Sequence, residues 1–412
     1  MRKNLFVAFI LFIACIELYF YKSIELLLQP YTESVRCLVS AVYLCIVIAL
    51  LVVSIYSFQT IATTRLKALM LPIFAIQYLS KLFSVLLLLV GDLYRGIKWF
   101  GYKFAHLWTQ TESTPLSIPK SLPLVQLSLG AAILPAATLG YGIIVGAHDY
   151  RIRRVKITLP HLPAAFHGIK IGQLSDIHSG SFFNKQAVAK GIDMLLAEKP
   201  DTIFFTGDLV NDTADEVRDY SDLFQKIKAD LGVFSTLGNH DYGDYMRWSS
   251  LAAKQKNLHD VQQAHAAFGW HLLNNANVCL QQGGDILAII GVENWGRTSF
   301  SQYGKLALAY QGIAHAPVKL LLSHDPSHWD AEVRPCFKDI DITFSGHTHG
   351  FQFGIEIGDF KWSPAQYTYK QWGGLYREDN QYLYVNRGFG YIGYPGRVGI
   401  WPEITIVELL KG

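Results

Sequence analysis

The sequence is poor in the features that mark several common functions. None of its five cysteines (Cys15, Cys37, Cys45, Cys279, Cys336) forms a C-x-x-C pair. That excludes a zinc ribbon and a disulfide framework, and leaves free, mostly buried thiols as the expectation. The formal net charge is only +3, too small to argue for nucleic acid or an acidic polymer as a partner. No internal repeat or low-complexity tract is present, and Pro and Ser gather only in a short connector, Ser113–Pro123. The first 150 residues are also nearly devoid of Asp, Asn and His. At 412 residues the chain is long enough for two or three domains, and this asymmetry divides it into an apolar part, 1–150, and a polar part, 151–412.

What the first part does have is long hydrophobic runs. Leu5–Tyr21, Cys37–Ser57, Ala68–Gly91 and Leu124–Ala147 each approach the ~20 apolar residues that ~30 Å of hydrocarbon demands, which predicts four transmembrane helices. The first run opens on Arg2 and Lys3 like a signal peptide, but no small-x-small cleavage site follows and further spans come after it, so it is expected to be retained. Lys81 falls near the middle of the third run. No polar partner stands out on the other spans, so the expectation is a shifted or interfacial segment, or a side chain that snorkels, rather than a transport pathway. Basic residues at the N-terminus, at Arg65 and Lys67, and at Arg151, Arg153, Arg154 and Lys156 favour a multi-pass protein of the cell (inner) membrane with its second part in the cytoplasm. Arg95, Lys98, Lys103 and Lys120 weigh the other way.

From Arg151 onward the pattern changes to short apolar runs that end in polar clusters. "IKIGQLSD", "DTIFFTGD", "GVFSTLGNHD", "ILAIIGVEN", "VKLLLSHD" and "DITFSGHTHG" each read as a buried strand opening into a loop that carries Asp, Asn or His. "LYVNRG" and "ITIVEL" read as further strands, and "KQAVAKGIDMLLAEK" and "ADEVRDYSDLFQKIKAD" as helices between the early ones. The alternation implies an α/β fold, whose ligands gather at the carboxyl ends of the strands.

The polar strand ends are Asp176 and His178 (D-x-H), Asp208 (G-D), Asn239, His240 and Asp241 (G-N-H-D), His324 (S-H-D) and His347 with His349 (G-H-T-H). Each motif alone also describes a turn, because Gly, Asp and Asn favour turns on their own account. Together they make a ligand set of carboxylate, imidazole and amide oxygen, suited to two divalent ions of the Mn²⁺, Fe²⁺ or Zn²⁺ type. The groups are too many for one four-coordinate ion. They fit two ions ~3.5–4 Å apart, which would activate a water and stabilise an in-line displacement at phosphorus.

In this order the motifs resemble the calcineurin-like metallophosphoesterase superfamily. "LSDIH" (Leu174–His178), "GHTHGFQ" (Gly346–Gln352), "RGFG" (Arg387–Gly390), Pro395, Arg397 and "PEIT" (Pro402–Thr405) resemble its membrane-associated bacterial branch. The resemblance covers Ile169 to the C-terminus and leaves the apolar spans aside. It implies an αββα sandwich behind the transmembrane helices. It also implies Asp176, His178 and His349 as ligands of one ion, Asn239, His324 and His347 as ligands of the other, and Asp208 as the bridge. His240 would serve the leaving group, which agrees with an imidazole that titrates near neutrality, and Asp241 would orient that ring. Two positions depart from the family pattern: Asn211 where many relatives carry Asp, and Phe351 where glycine is usual. Phe351 is expected at the site mouth, and Arg387 and Arg397 as clamps on substrate phosphate or as structural ion pairs. The aromatic segment Phe360–Asp379 is expected either to face a lipid-like substrate beside the bilayer or simply to pack a long loop.

The expected function is hydrolysis of a phosphate ester or pyrophosphate at a membrane. A lipid-linked precursor such as UDP-2,3-diacylglucosamine is one candidate substrate. A general or cyclic-nucleotide phosphodiesterase would use the same centre. A scaffold or receptor that kept the fold without turnover predicts damaged ligands, and none is damaged here.

Overall fold

The computed structural model describes residues 2–59, 65–109, 118–297, 300–358 and 360–412. Residues 113–117 of the Pro/Ser-rich connector lie outside them. The chain falls into two compact units, Met1–Gly140 and Tyr141–Gly412.

The first unit is helical: α1 (Arg2–Leu28), α2 (Glu33–Gln59), α3 (Arg65–Thr109) and α4 (Leu122–Ala131), with α5 (Ile133–Ile144) running into the second. Four segments are long and apolar enough to cross a membrane: Val7–Leu28, Glu33–Val53, Pro72–Ala105 and Leu122–His148. Lys81 corrects the sequence expectation. It is buried and has a partner on another span, its Nζ lying 2.7 Å from Glu17 Oε1 on α1. Tyr43 of α2 donates its hydroxyl to the same carboxylate. A single acid in a leucine-rich run is hard to notice in sequence, yet it lets the lysine stay inside the bundle instead of snorkelling. The cysteines are free as expected but are not buried: Cys15, Cys37, Cys45 and Cys336 are exposed and Cys279 is half-buried.

The second unit carries β1 (Arg151–Leu159), β2 (Lys170–Leu174), β3 (Thr202–Thr206), β4 (Val233–Thr236), β5 (His271–Leu272), β6 (Ala276–Gln282), β7 (Asp285–Gly291), β8 (Lys319–Leu322), β9 (Ile342–Ser345), β10 (Ile355–Ile357), β11 (Phe360–Trp362), β12 (Gly374–Glu378), β13 (Gln381–Val385) and β14 (Glu403–Lys411). One six-stranded sheet has the order β1-β14-β2-β3-β4-β5 and the other β12-β13-β9-β8-β7-β6. In the first, β2, β3 and β4 run parallel, and in the second, β7, β8 and β9 do. These strands read as unbroken apolar runs because both of their faces are covered. Phe204 points inward against Leu320, Leu322 and Phe344 of the other sheet. Its neighbours Ile203 and Phe205 point outward, onto Val188 and Ile192 of α6 (Lys185–Ala197) and Val261 of the long helix at Leu251–Phe268. Leu321 faces away from Leu320 in the same manner and packs on Trp329 and Val333. The result is four layers, αββα. The second helix expected from sequence is a 3-10 segment, Ala214–Tyr220, followed by one short turn, Ser221–Phe224; a Thr213/Glu216 capping box starts it.

Candidate metal centre

The polar loops that carry the expected ligands converge at the carboxyl ends of the parallel strands. The loop after β2 brings Asp176 and His178, that after β3 Asp208, and that after β4 Asn239 and His240. From the other sheet, β8 leads to His324 and β9 to His347 and His349. Backbone hydrogen bonds lock the first two loops side by side: the Asp176 amide donates to the Gly207 carbonyl at 2.9 Å, and that of His178 to the Asp208 carbonyl at 3.1 Å. The sheets are stitched together here as well. Gln173 Nε2 donates to the Ser345 carbonyl at 2.9 Å, and the His347 amide donates to the Asp176 carboxylate at 2.9 Å.

Two clusters with metal-ligand chemistry result: Asp176, His178 and His349, and Asp208, His324 and His347. In the first, His178 Nε2 is 3.0 Å from His349 Nε2, which is 3.3 Å from Asp176 Oδ1. In the second, Asn239 Oδ1 stands 3.1 Å from His324 Nε2 and 2.8 Å from His347 Nδ1. Asp208 Oδ2 lies between the two clusters, 3.5 Å from His178 Nε2 and 3.1 Å from His324 Nε2.

Backbone conformation marks the same residues. Asp176, His178, Asp208, His347 and His349 all have φ between 50° and 72°, a left-handed region that non-glycine residues seldom occupy and that costs about 1–3 kcal/mol per residue. Five such residues around one point imply that their side-chain direction matters more than local comfort. The neighbouring glycines make room: a Cβ on Gly207 (φ +96) would lie 2.8 Å from His324 Nδ1, and one on Gly346 would collide with Ser175 Oγ and Asp176 Oδ2.

Tautomers follow from the carbonyls nearby. His324 Nδ1 is 2.7 Å from the Thr206 carbonyl. A carbonyl only accepts, so Nδ1 carries a hydrogen, and Nε2, which faces the acceptor oxygens of Asp208 and Asn239, is the atom a cation would take as ligand. His240 is held in the same way by the Asn211 carbonyl at 2.7 Å, which leaves its Nε2 free. Burial keeps His178 well below its ordinary range, and therefore neutral; burial lowers His347 too. Burial also opposes charging of His324, but the Asp208 carboxylate overrides it and lifts that imidazole to about 10. Against burial, His324 and His240 hold Asp208 well below the carboxylate range. A cation entering between them must therefore displace a proton from His324.

One expected role needs correction, and for the two arginines the internal of the two expectations fits better. Asp241 does not touch the His240 ring. Its carboxylate accepts the amides of Asp208 (2.9 Å), Leu209 (2.8 Å), Val210 (3.2 Å) and Gly238 (2.8 Å), so it shapes the loop that presents Asp208. Arg387 is buried between Glu356 and Glu403, at 2.6 Å from each, and has no free face for a phosphate. Arg397 is fully buried; it donates to the Gly390 carbonyl at 2.5 Å and reaches His349 Nδ1 at 3.2 Å. Both arginines are bound inside the fold instead of clamping substrate. Phe351, two residues beyond His349, is 48% exposed.

Other residues at the site escaped the sequence reading. The Tyr369 hydroxyl is 2.7 Å from His347 Nε2, and Tyr245 accepts from Asn239 Nδ2 at 2.9 Å while its ring lies 4.7 Å from that of His240. Tyr369 also lines a cavity of about 350 Å³ with Arg297, Ser327, Asp330 and Lys370. Tyr369 lies in the aromatic segment Phe360–Asp379 and Tyr245 in no motif, and only folding brings either beside the candidate ligands.

Among known proteins, residues 1–147 match the family described as calcineurin-like phosphoesterase, transmembrane domain, and residues 169–351 match calcineurin-like phosphoesterase. A Danio rerio transmembrane protein with metallophosphoesterase domain is 27% identical over 68% of this chain, which spans 62% of that relative's length. An uncharacterized metallophosphoesterase of Bacillus subtilis is 28% identical over 68% of this chain and 93% of its own. The UDP-2,3-diacylglucosamine pyrophosphatase of Chlamydia muridarum is 25% identical over 63% of this chain and 89% of its own.

Proposed function

We propose that this chain, which belongs to the calcineurin-like phosphoesterases, is a membrane-anchored hydrolase of a phosphate ester or pyrophosphate that works with two divalent cations. The observation that carries the proposal is Asp208, whose one carboxylate oxygen lies within 3.5 Å of a ligand nitrogen in each cluster. The donor set fits such ions: imidazole nitrogens and carboxylate oxygens crowd together, on five residues with left-handed backbone. Asp176, His178 and His349 would hold one ion, Asn239, His324 and His347 the other, and Asp208 both. The ions, when bound, supply Lewis acidity toward the phosphoryl oxygens and a water that ionises near neutral pH.

The chain's own residues do the rest. The Asn211 carbonyl keeps a hydrogen on His240 Nδ1, so Nε2 is the ring nitrogen that can take up a proton and pass it to the leaving oxygen. Asp241 holds the Asp208 loop. Arg297 and Lys370, which line the adjoining cavity, would supply the positive charge that Arg387 and Arg397 cannot. Similarity to the Chlamydia muridarum pyrophosphatase supports a lipid-linked or nucleotide-linked diphosphate as the substrate. We place the second unit in the cytoplasm, on the cell (inner) membrane, because Arg151, Arg153, Arg154 and Lys156 follow the fourth apolar segment directly.

Turnover of bis-p-nitrophenyl phosphate by the detergent-solubilised full chain, stripped of metal and then resupplied with Mn²⁺, tests the reading. Activity should vanish and return with the ion, and His240→Ala or Asp208→Asn should each lower kcat by at least ~100-fold. Near-full activity in either variant would overturn it.

A further inference from the structure

Strands β10 and β11 form a two-stranded ribbon that joins neither large sheet. Its register pairs Ile355 with Trp362, Glu356 with Lys361 and Ile357 with Phe360, so strand alternation segregates the two faces. The polar face is tied down: Glu356 receives Arg153 Nη2 at 2.5 Å and Arg387 Nη2 at 2.6 Å, and Lys361 Nζ donates to the Gly373 carbonyl at 2.9 Å. The other face is left in water, with Ile357 73%, Phe360 62% and Ile355 46% exposed. A contiguous apolar patch on a held ribbon marks an interaction surface and not a scattered exposed side chain.

The root of the ribbon shows what lies next to it. The Gly354 amide donates to the Val398 carbonyl at 2.9 Å, and the adjacent Arg397 amide donates to the Gly142 carbonyl at 3.0 Å. Gly142 belongs to the apolar segment Leu122–His148. Arg153, which grips Glu356, comes only five residues after His148 (153 − 148 = 5). The exposed face is therefore held, through both ends of the same unit, beside the point where the chain leaves its last membrane-spanning segment. From that same root the chain runs back through Phe351 to His349 in the candidate metal centre.

We propose that the β10–β11 ribbon enters the headgroup layer of the bilayer that holds the four apolar segments, with Ile357 and Phe360 as its tip, and so turns the mouth of the metal centre toward the lipid surface. Amphipathic helices sit ~5–10 Å into the headgroup boundary, and the apolar face of the ribbon would enter to a like depth. The docking stands whether or not the site hydrolyses phosphate.

The test places bimane at Ile357→Cys, and separately at Phe360→Cys, in the full chain with its native cysteines replaced, reconstituted in phosphatidylcholine–phosphatidylglycerol nanodiscs. Gln282→Cys, at the end of edge strand β6, is the aqueous control. Both ribbon labels should emit to the blue of the control, be quenched by lipids bearing a shallow doxyl group, and be shielded from iodide. Emission, lipid quenching and iodide access equal to the control would overturn the proposal. A blue shift without lipid quenching would overturn it as well, by showing the ribbon buried against protein: a second copy or another part of the chain.

Discussion

At the scale of the residue, the same side-chain type does different work according to what burial leaves it to touch. Arg387 and Arg397 read from sequence equally as phosphate clamps or as structural pairs, and each is enclosed among acceptors belonging to the fold. Glu403, 1% exposed, depends on Arg387 for its counter-charge. Arg387→Ala should thus cost about 3–5 kcal/mol of stability, because it leaves a buried carboxylate unpaired. Thermal unfolding should record a lower midpoint, while KM for bis-p-nitrophenyl phosphate stays near wild type; an unchanged midpoint with a raised KM would restore the clamp. Asp241 teaches the same lesson. Sequence adjacency suggested service to His240, but a carboxylate facing four amides serves the backbone.

At the scale of the element, most of the fold was legible. Apolar runs such as "TIFFT" and "KLLL" read as buried strands, and the structure covers both of their faces. The reading was weaker where local patterns compete. "ADEVRDYSDLF" has helical spacing, yet it runs as a 3-10 segment and one turn. The glycine-bearing loops at the strand ends carry the site, and they do so because they lack side chains at the points of closest approach. Gly346→Ala should displace Ser175 and Asp176 from their positions. Metal content by mass spectrometry should then fall well below the wild-type content of about two ions, with the far-ultraviolet circular dichroism retained. Full metal content would show that the loop tolerates a methyl group there.

At the scale of the whole molecule, the chain combines an apolar helical unit with an αββα unit. The basic residues Arg151, Arg153, Arg154 and Lys156 are each paired with an acid once folded, but orientation is set while the chain is inserting and those charges are still open. A membrane-impermeant maleimide applied to intact cells should leave Gln282→Cys, in a chain without its native cysteines, unlabelled until the membrane is permeabilised. Labelling from outside would reverse the orientation. Composition and periodicity by themselves determined the apolar segments, the strands and which polar residues stand at the strand ends, because hydrophobic period and strand-end polarity are local properties. Only the tertiary structure decided that Glu17 meets Lys81, that Tyr369 and Tyr245 reach the ligands, and that both arginines are internal. Those pairings join residues distant in the chain, and no local pattern encodes which distant group a side chain will meet once the layers close.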